Sequence, residues 1–175
     1  PERARRLLRE AGHANGFKTT MAYSTAEPLG EPVSTQLRSA FKDVGVTLEL
    51  EPLPPSTYPD LLFAGKRPMF FYTGGADSPD PAYALGVFYQ SKSSNNWGDY
   101  KSARADACLA AAGRPNLAWD ERVDKHERCA EIIADDAPWL WIAQPGFQVS
   151  TRSNVTGINW YAGEAVDWSK VGYTS

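Results

Sequence analysis

The strongest fold signal in the chain is the sequence FKTTMAYSTAEPLGEPVSTQLRSAFKDVGVTLELE, which occupies residues 17–51. Apolar and polar residues alternate over 17–24 and again over 46–51, and this period of two is typical of strands. Between these segments, apolar residues recur at helical spacing over 31–44, and Gly45 follows as a natural helix stop. The sequence therefore predicts a strand, a helix and a strand in succession, the unit that builds a parallel sheet through a right-handed crossover.

The flanking segments extend this α/β pattern. Residues 1–11 carry leucines and alanines at helical spacing and end at Gly12, which predicts a helix. The proline-rich segment 52–55 is expected to end the second strand, and a short helix is expected near 56–64. The apolar run 69–73 shows no polar alternation, which is typical of a strand covered on both faces of an α/β sheet.

The second half of the chain is predicted to be mostly helical. Helical periodicity indicates three helices, over 83–89, 103–113 and 118–135. The last two are joined by a short turn and should form an antiparallel hairpin. Two strands are expected after them, over 139–143 and 147–151, and the aromatic C-terminal segment shows no strong period.

The composition excludes several classes of protein. With 42% hydrophobic and 22% charged residues among 175, the chain is expected to bury a sizeable core and not to be disordered. Its net charge of -3 gives no electrostatic reason to bind nucleic acid. No apolar run approaches the roughly 20 residues that span a bilayer. Because the sequence opens at Pro1 without a signal-peptide h-region, we expect it to be a piece of a longer protein.

The common catalytic signatures are missing from the sequence. It contains no glycine-rich nucleotide-binding motif, no nucleophile elbow and no His-Glu-x-x-His zinc motif. Asp77 and Asp80 could act as a general acid and base, but no histidine or lysine of obvious role stands near them. Alternatively, both carboxylates only cap and brace a turn. A third interpretation makes Asp77 a fixed carboxylate for a cationic ligand group, because loops at the carboxyl ends of parallel strands line the ligand crevice.

Asn96 and Trp97 are further candidates for ligand binding. They lie in a polar loop, where a packed core is least expected, and an exposed indole ring can stack on a ligand. Most of the other aromatic side chains are expected in the core.

The two cysteines, Cys108 and Cys129, fall in the two helices of the predicted hairpin. An antiparallel arrangement brings similar depths side by side and favours a disulfide, with two buried free thiols as the alternative. Together with His13 and His126 these cysteines could in principle bind zinc, but the paired spacing of metal ligands is missing. We therefore expect neither a metal nor another cofactor, and we expect His126 on the helix surface.

Several short motifs follow one another in an order that a known family shares. They are PERARRLLREAG at 1–12, Gly16-Phe17, Leu37 to Gly45-Val46, Asp77-Ser78-Pro79-Asp80-Pro81, Asn96-Trp97-Gly98-Asp99-Tyr100, Arg122, and Asp136-Ala137-Pro138-Trp139-Leu140-Trp141. In this order and spacing they resemble the C-terminal lobe of the family 5 extracellular solute-binding proteins, the dipeptide, oligopeptide and nickel receptors of ABC importers. The resemblance covers nearly the whole chain.

This resemblance implies a fold class and a place in a larger protein. The fold is an α/β lobe of the periplasmic-binding-protein type, with a central, mixed and mostly parallel sheet flanked by helices, an antiparallel helix hairpin and late strands. Residues 1–175 would be a single ligand-binding lobe, and a missing N-terminal lobe of the same protein would supply the other half of the site. The implied location is periplasmic or cell-surface, which is oxidising and supports the disulfide.

The resemblance also implies a function. Such a receptor closes two lobes over a peptide or another small solute and delivers it to an ABC permease in the membrane, without covalent chemistry. By position, Asp77 inherits the carboxylate that pairs with the ligand's α-ammonium group in peptide-binding members. Gly75, Ala76 and Ser78 would be its neighbours in the cleft wall, and Gly74 is a further candidate for ligand binding.

One departure from the family pattern concerns the ligand. Peptide receptors often carry a tryptophan near the position of Gly74, where this chain has Gly74-Gly75. The smaller residues open space for a bulkier solute, such as a sugar-containing conjugate or an opine-like compound. Outside transport, the alternatives are a solute-sensing domain of a regulator and an α/β hydrolase or transferase that uses Asp77 or Asp80.

Overall fold

The structure is a computed structural model, and it describes residues 1–65, 67–74, 78, 80–144, 149–161 and 165–174. The chain divides into two compact units. Unit 1 comprises Pro1–Thr73 and Trp97–Asp99, and unit 2 comprises Gly74–Asn96 and Tyr100–Ser175. That residues 1–175 form a single ligand-binding lobe remains a prediction.

Helices and strands alternate along unit 1. In order they are α1 (Glu2–Glu10), β1 (Lys18–Ser24), α2 (Gly30–Lys42), β2 (Thr47–Leu53), α3 (Tyr58–Phe63) and β3 (Met69–Phe70). The strands form a sheet in the order β2-β1-β3, and both outer strands run parallel to β1. The predicted strand–helix–strand unit is confirmed. The described strands of this sheet are all parallel, whereas the resemblance implies a mixed, mostly parallel sheet.

Two apolar clusters hold α2 and α3 against the sheet of unit 1. Successive residues of β1 point to opposite faces, so Met21 and Tyr23 serve one cluster and Ala22 serves the other. The first cluster also contains Leu48, Phe71 and, from α2, Val33, Leu37 and Phe41. The second contains Tyr58 and Leu62 of α3. Each fully buried side chain of this kind contributes about 1.5–3 kcal/mol of transfer free energy, which fixes both helices on the sheet.

Two glycines allow β1 and β2 to begin close together. Gly16 has a φ of 72° and Gly45 a φ of 91°, both in the left-handed region. A Cβ on Gly16 would lie 1.8 Å from the carbonyl oxygen of Gly45, so no side chain fits there. This close approach lets the Thr47 N–H donate to the Phe17 carbonyl at 2.9 Å, where the ladder starts.

The bounds of two strands differ from the prediction. β2 continues through Pro52 to Leu53, although the sequence predicts that the prolines end it. Among the described strands β2 lies at an edge of its sheet, where a proline with no N–H to donate is tolerated. β3 has only two residues, shorter than the predicted 69–73, and the ladder ends where the Phe71 N–H donates to the Ala22 carbonyl at 2.8 Å.

Three helices dominate unit 2: α4 (Pro81–Tyr89), α5 (Ala103–Ala112) and α6 (Trp119–Asp136). Arg104, near the start of α5, lies 3.5 Å from Asp136 at the end of α6, so the two helices are antiparallel. This confirms the predicted hairpin. Its buried core consists of Tyr89, Ala105, Leu109, Ala112, Cys129 and Ile133.

The segment after α6 is where the prediction fails most clearly. The strand predicted over 139–143 is wrong, and of the one predicted over 147–151 the described residues 149–151 are not in a strand. Ala137 ends α6 in the left-handed conformation, and Trp139 then packs on the helical core, 5.5 Å from the ring of Tyr89. No described strand pairs with this segment, and a strand without a ladder partner is not stable.

Short strands do form near the C-terminus, as the resemblance implies. They are β4 (Val155–Thr156), β5 (Trp160–Tyr161), β6 (Ala165–Val166) and β7 (Gly172–Tyr173). β4 pairs with β7 and β5 with β6, each antiparallel. Among the described residues, no helix combines the length and apolar character that a membrane span requires.

Candidate ligand-binding site

The carboxyl ends of β1 and β3 lie side by side in unit 1. Their parallel register pairs Met21 with Met69, so the loops that follow both strands start at the same edge of the sheet. Glu27, in the loop after β1, accepts a hydrogen bond from the hydroxyl of Thr73, which follows β3. Ligands of open α/β sheets bind outside such carboxyl ends, so this edge is the candidate site within unit 1.

Tyr58 of α3 forms a hydrogen bond at the same edge of the sheet. Its side chain is buried, and its hydroxyl donates to the carbonyl of Phe71. Burial raises the pKa of Tyr58, and the negative charge of Glu27 raises it further. The phenol therefore stays protonated and acts as a hydrogen-bond donor that fixes the end of β3, not as a base.

Sequence reasoning did not single out Glu27 or Tyr58. The signal for Glu27 is available in principle, because it is the first acid after the first predicted strand. The same rule about carboxyl ends that draws attention to Asp77 would have drawn attention to Glu27. Tyr58 carries no comparable signal, since its role depends on the position of the Phe71 carbonyl.

Trp97 is partly buried and packs against the core of unit 1, although it lies in a polar loop. Its ring meets that of Tyr72 nearly edge-on at 4.9 Å and that of Phe63 at 5.8 Å. The expectation that this tryptophan avoids a packed core is wrong, because burial of one large ring outweighs the polarity of its sequence neighbours. A contact of Trp97 with ligand remains a prediction.

The predicted ligand loop opens unit 2. Gly75, Ala76 and Asp77 lie outside the described residues, so the roles assigned to them remain predictions. Gly74 is exposed, and Ser78 is half-buried with its hydroxyl accepting from the Asp80 N–H at 3.2 Å. The Ser78 side chain therefore shapes the end of this loop.

Asp80 has a structural role. Its Oδ1 accepts from the Ala82 N–H at 2.9 Å, which caps α4, and its Oδ2 lies 2.8 Å from Nη1 of Arg122. Both side chains of this ion pair are less than a third exposed, at 29% and 27%. The guanidinium also lies 4.8 Å from the centre of the Trp119 ring. Because both carboxylate oxygens are engaged, Asp80 fits the cap interpretation and not a general acid or base.

The side chain of Asn96 braces its own loop. Its amide nitrogen donates to the carbonyls of Tyr100 at 2.7 Å and Gln90 at 3.3 Å, and its oxygen accepts from the Tyr100 N–H at 3.1 Å. Both amide hydrogens are used in this way. Asn96 could therefore contact a ligand only through the remaining lone pair of its oxygen.

Tyr100 and Asp136, from two of the motifs that carry the resemblance, meet in unit 2. The Tyr100 hydroxyl donates to Oδ2 of Asp136 at 2.7 Å, and this bond lowers the pKa of Asp136. Burial, followed by the same bond, raises the pKa of Tyr100. These motif residues hold the end of the hairpin in place.

The motifs and the fold agree with a match to a known protein family. The model of the bacterial extracellular solute-binding proteins, family 5 Middle, matches residues 1–123. The chain belongs to this family.

Individual members show how much of a family 5 protein this chain represents. The probable D,D-dipeptide-binding periplasmic protein DdpA of Escherichia coli K12 is 23% identical over 79% of this chain and 27% of its own length. Di/tripeptide-binding protein 2 of Pseudomonas aeruginosa is 27% identical over 98% of this chain and 33% of its own length. The structure of the ABC transporter-associated periplasmic binding protein DppA from Helicobacter pylori, in complex with peptide STSA, is 25% identical, with a TM-score of 0.80 over 98% of this chain and 34% of that one. The chain thus spans about a third of the length of the relatives it matches.

Membership of family 5 confirms the resemblance and the periplasmic-binding-protein-like α/β fold. The family consists of extracellular solute-binding proteins, so the location is periplasmic or cell-surface, as predicted.

The cysteines suit this oxidising location. Cys108 of α5 and Cys129 of α6 form a disulfide with 5.6 Å between their Cα atoms, which confirms the predicted pair over free thiols. Bonded sulfurs cannot ligate zinc, and the described residues hold no other cluster of potential metal ligands. His126 is buried, so its predicted surface position is wrong; its Nδ1 lies 2.7 Å from the Arg122 carbonyl, which satisfies the ring within the helix.

Proposed function

We propose that the protein is the solute-binding component of an ABC importer, which captures a peptide or a related small solute by closing two lobes around it. The observation that carries this proposal is the family 5 match over residues 1–123, together with the likeness of nearly the whole chain to a peptide-bound receptor. Capture and release need no bond to be made or broken, so the proposed protein is not an enzyme.

Asp77 is the proposed anchor of the ligand. The segment that carries it follows β3 and Thr73 in the sequence, and loops that follow parallel strands are where α/β proteins bind ligands. In a closing, water-poor cleft, a carboxylate forms a strong charge-assisted hydrogen bond with an ammonium group. Gly75, Ala76 and Ser78 are its proposed neighbours in the cleft wall, and Gly74 is a further proposed ligand-binding residue.

The proposed ligand is a small peptide with a free α-ammonium group. Two of the matched relatives are named for binding dipeptides or tripeptides, which supports this class. Gly74-Gly75 favours a second class, a bulkier solute such as a sugar-containing conjugate or an opine-like compound, because neither residue fills the cleft with a side chain.

The proposed partners are an N-terminal lobe of the same protein and an ABC permease in the membrane. One wall cannot enclose a ligand, so residues 1–175 alone should bind a solute only weakly. The closed, two-lobed form is the state that a permease would recognise. Nucleic acid is not among the proposed partners, because the net charge of -3 gives no electrostatic reason to bind it.

Calorimetry on the full-length protein tests the proposed anchor. Asp77→Ala should reduce the binding free energy of a peptide with a free α-ammonium group by about 2–5 kcal/mol, as expected when one partner of a buried charge pair is removed. The N-acetylated form of the same peptide should bind the wild type weakly and be little affected by the substitution. Asp124→Ala, at an exposed acid on α6, is the matched control. Equal affinities of wild type and Asp77→Ala would remove Asp77 from the site.

A further inference from the structure

Glu27 occupies the loop between β1 and α2 in a fixed position. Its N–H donates to the Ser24 carbonyl at 3.1 Å, and its own carbonyl accepts from the Gly30 N–H at 3.0 Å. These two bonds turn the chain from the carboxyl end of β1 into the first turn of α2. The backbone of Glu27 is therefore set by the strand and the helix on either side of it.

The carboxylate of Glu27 accepts two hydrogen bonds. One oxygen accepts from the Thr73 hydroxyl and the other from the Leu29 N–H, the latter at 3.3 Å. The side chain is half-buried, and Thr73 is exposed, so the group lies at the solvent-accessible edge of the sheet. Each oxygen keeps a lone pair that a further donor could use.

The charge of Glu27 is not neutralised within the described part of the chain. Its two partners are neutral donors, and no lysine, arginine or histidine among the described residues forms an ion pair with it. By contrast, the partly buried Glu51 is paired with Arg67 at 2.5 Å, and Asp80 is paired with Arg122. The uncompensated charge is felt by the buried Tyr58 nearby, whose pKa it helps to raise.

A half-buried carboxylate that lacks a cation in its own protein is complementary to a cation supplied from outside. Its position at the carboxyl ends of two adjacent parallel strands is also where the ligand of such a sheet is expected. We propose that Glu27 is a specificity-determining residue that selects solutes with a second positive charge, namely peptides with a lysine- or arginine-like side chain. This inference rests on the proposed function.

The test compares peptides that differ by one charge and little else. Tri-alanine is prepared with lysine at the second or third position, and each peptide is matched by one with norleucine, which has a nearly isosteric side chain without the ammonium group. Calorimetry with the full-length protein gives the affinity ratio for each pair. For at least one position, the wild type should bind the lysine peptide roughly tenfold more tightly than its norleucine partner.

Glu27→Gln then removes the charge while its amide can still bond to Thr73 and to the Leu29 N–H. In this variant the lysine preference should disappear, while the affinity for the norleucine peptides stays within about twofold. Glu49→Gln is the matched control, since Glu49 lies on β2 and pairs with Lys18 at 2.7 Å; this variant should keep the preference.

Each outcome decides between the two proposals. A wild type that binds lysine and norleucine peptides equally would overturn the role of Glu27 while leaving peptide capture intact, and this result needs no variant to fold. If the Glu27→Gln variant keeps the preference for lysine peptides, another residue causes that preference, and the inference is overturned. If the wild type binds none of the peptides, the proposed peptide ligand fails and the inference falls with it.

Discussion

Replacing Cys108 and Cys129 with alanine should destabilise the helix hairpin by an amount that follows from the length of the loop they close. The two cysteines are separated by 21 residues. In the chain-entropy description, removing a cross-link over a loop of this length lowers the free energy of unfolding by about 3.4 kcal/mol, because the unfolded chain regains its freedom. Cys129 is fully buried, so lost contacts in the core add to this value.

Hydrogen exchange of the full-length protein measures the change where it occurs. We expect the slowest amides of α5 and α6 to exchange only when the hairpin opens as a whole, so the double variant should exchange them roughly 300-fold faster. Helix α2, in unit 1, is the internal control and should keep its exchange rates. An acceleration of less than about tenfold in α5 and α6 would contradict this prediction, because the disulfide would then contribute little to holding the hairpin closed.

Two further predictions concern the backbone and the ligand loop. In urea unfolding, Gly16→Ala should cost more than about 3 kcal/mol because its Cβ would overlap the Gly45 carbonyl, whereas Gly12→Ala, with a similar φ and open space, should cost only about 1–2 kcal/mol. Similar losses for both variants would contradict the steric explanation. Asp80→Asn keeps the helix cap and should cost about 1 kcal/mol through the ion pair, and Asp80→Ala should cost about 2 kcal/mol by removing both. A double-mutant cycle with Arg122→Gln should show coupling, and its absence would exclude the ion pair as a source of stability.

Most of the framework could be predicted from the sequence because its periodicities are local. The alternation over 17–24 and 46–51 and the apolar stripe of α2 are set by which face each residue buries, and the structure follows them closely. The bounds of β2 and β3 could not be predicted in the same way. They depend on pairing with β1, which carries Pro52 into an edge strand and ends β3 after two residues.

The errors have a common physical cause. Trp97 and Trp139 pack against residues distant in sequence, so their local composition is a poor guide to their burial, and the local sequence pattern likewise does not indicate the burial of His126 on α6. Trp97, although in a polar loop, packs against Tyr72 and Phe63. Trp139 packs against Tyr89 in the helical core and is not part of a strand.

The candidate site also has some features that could be predicted from the sequence and others that could not. The local sequence Asp80-Pro81 is typical of the start of a helix, and in the structure Asp80 caps α4. The meeting of Glu27 with Thr73 depends on β1 and β3 being neighbours in parallel, which requires the sheet order and not the sequence pattern alone. The roles of Asp77 and its glycine neighbours come from the family resemblance and await a direct test.

A crystal structure of the full-length protein with a bound peptide is that test. We expect the Asp77 carboxylate to contact the peptide's α-ammonium at about 2.7–2.9 Å inside a closed cleft. A peptide held with its ammonium on other groups, while the Asp77 carboxylate bonds only to its own loop, would contradict it.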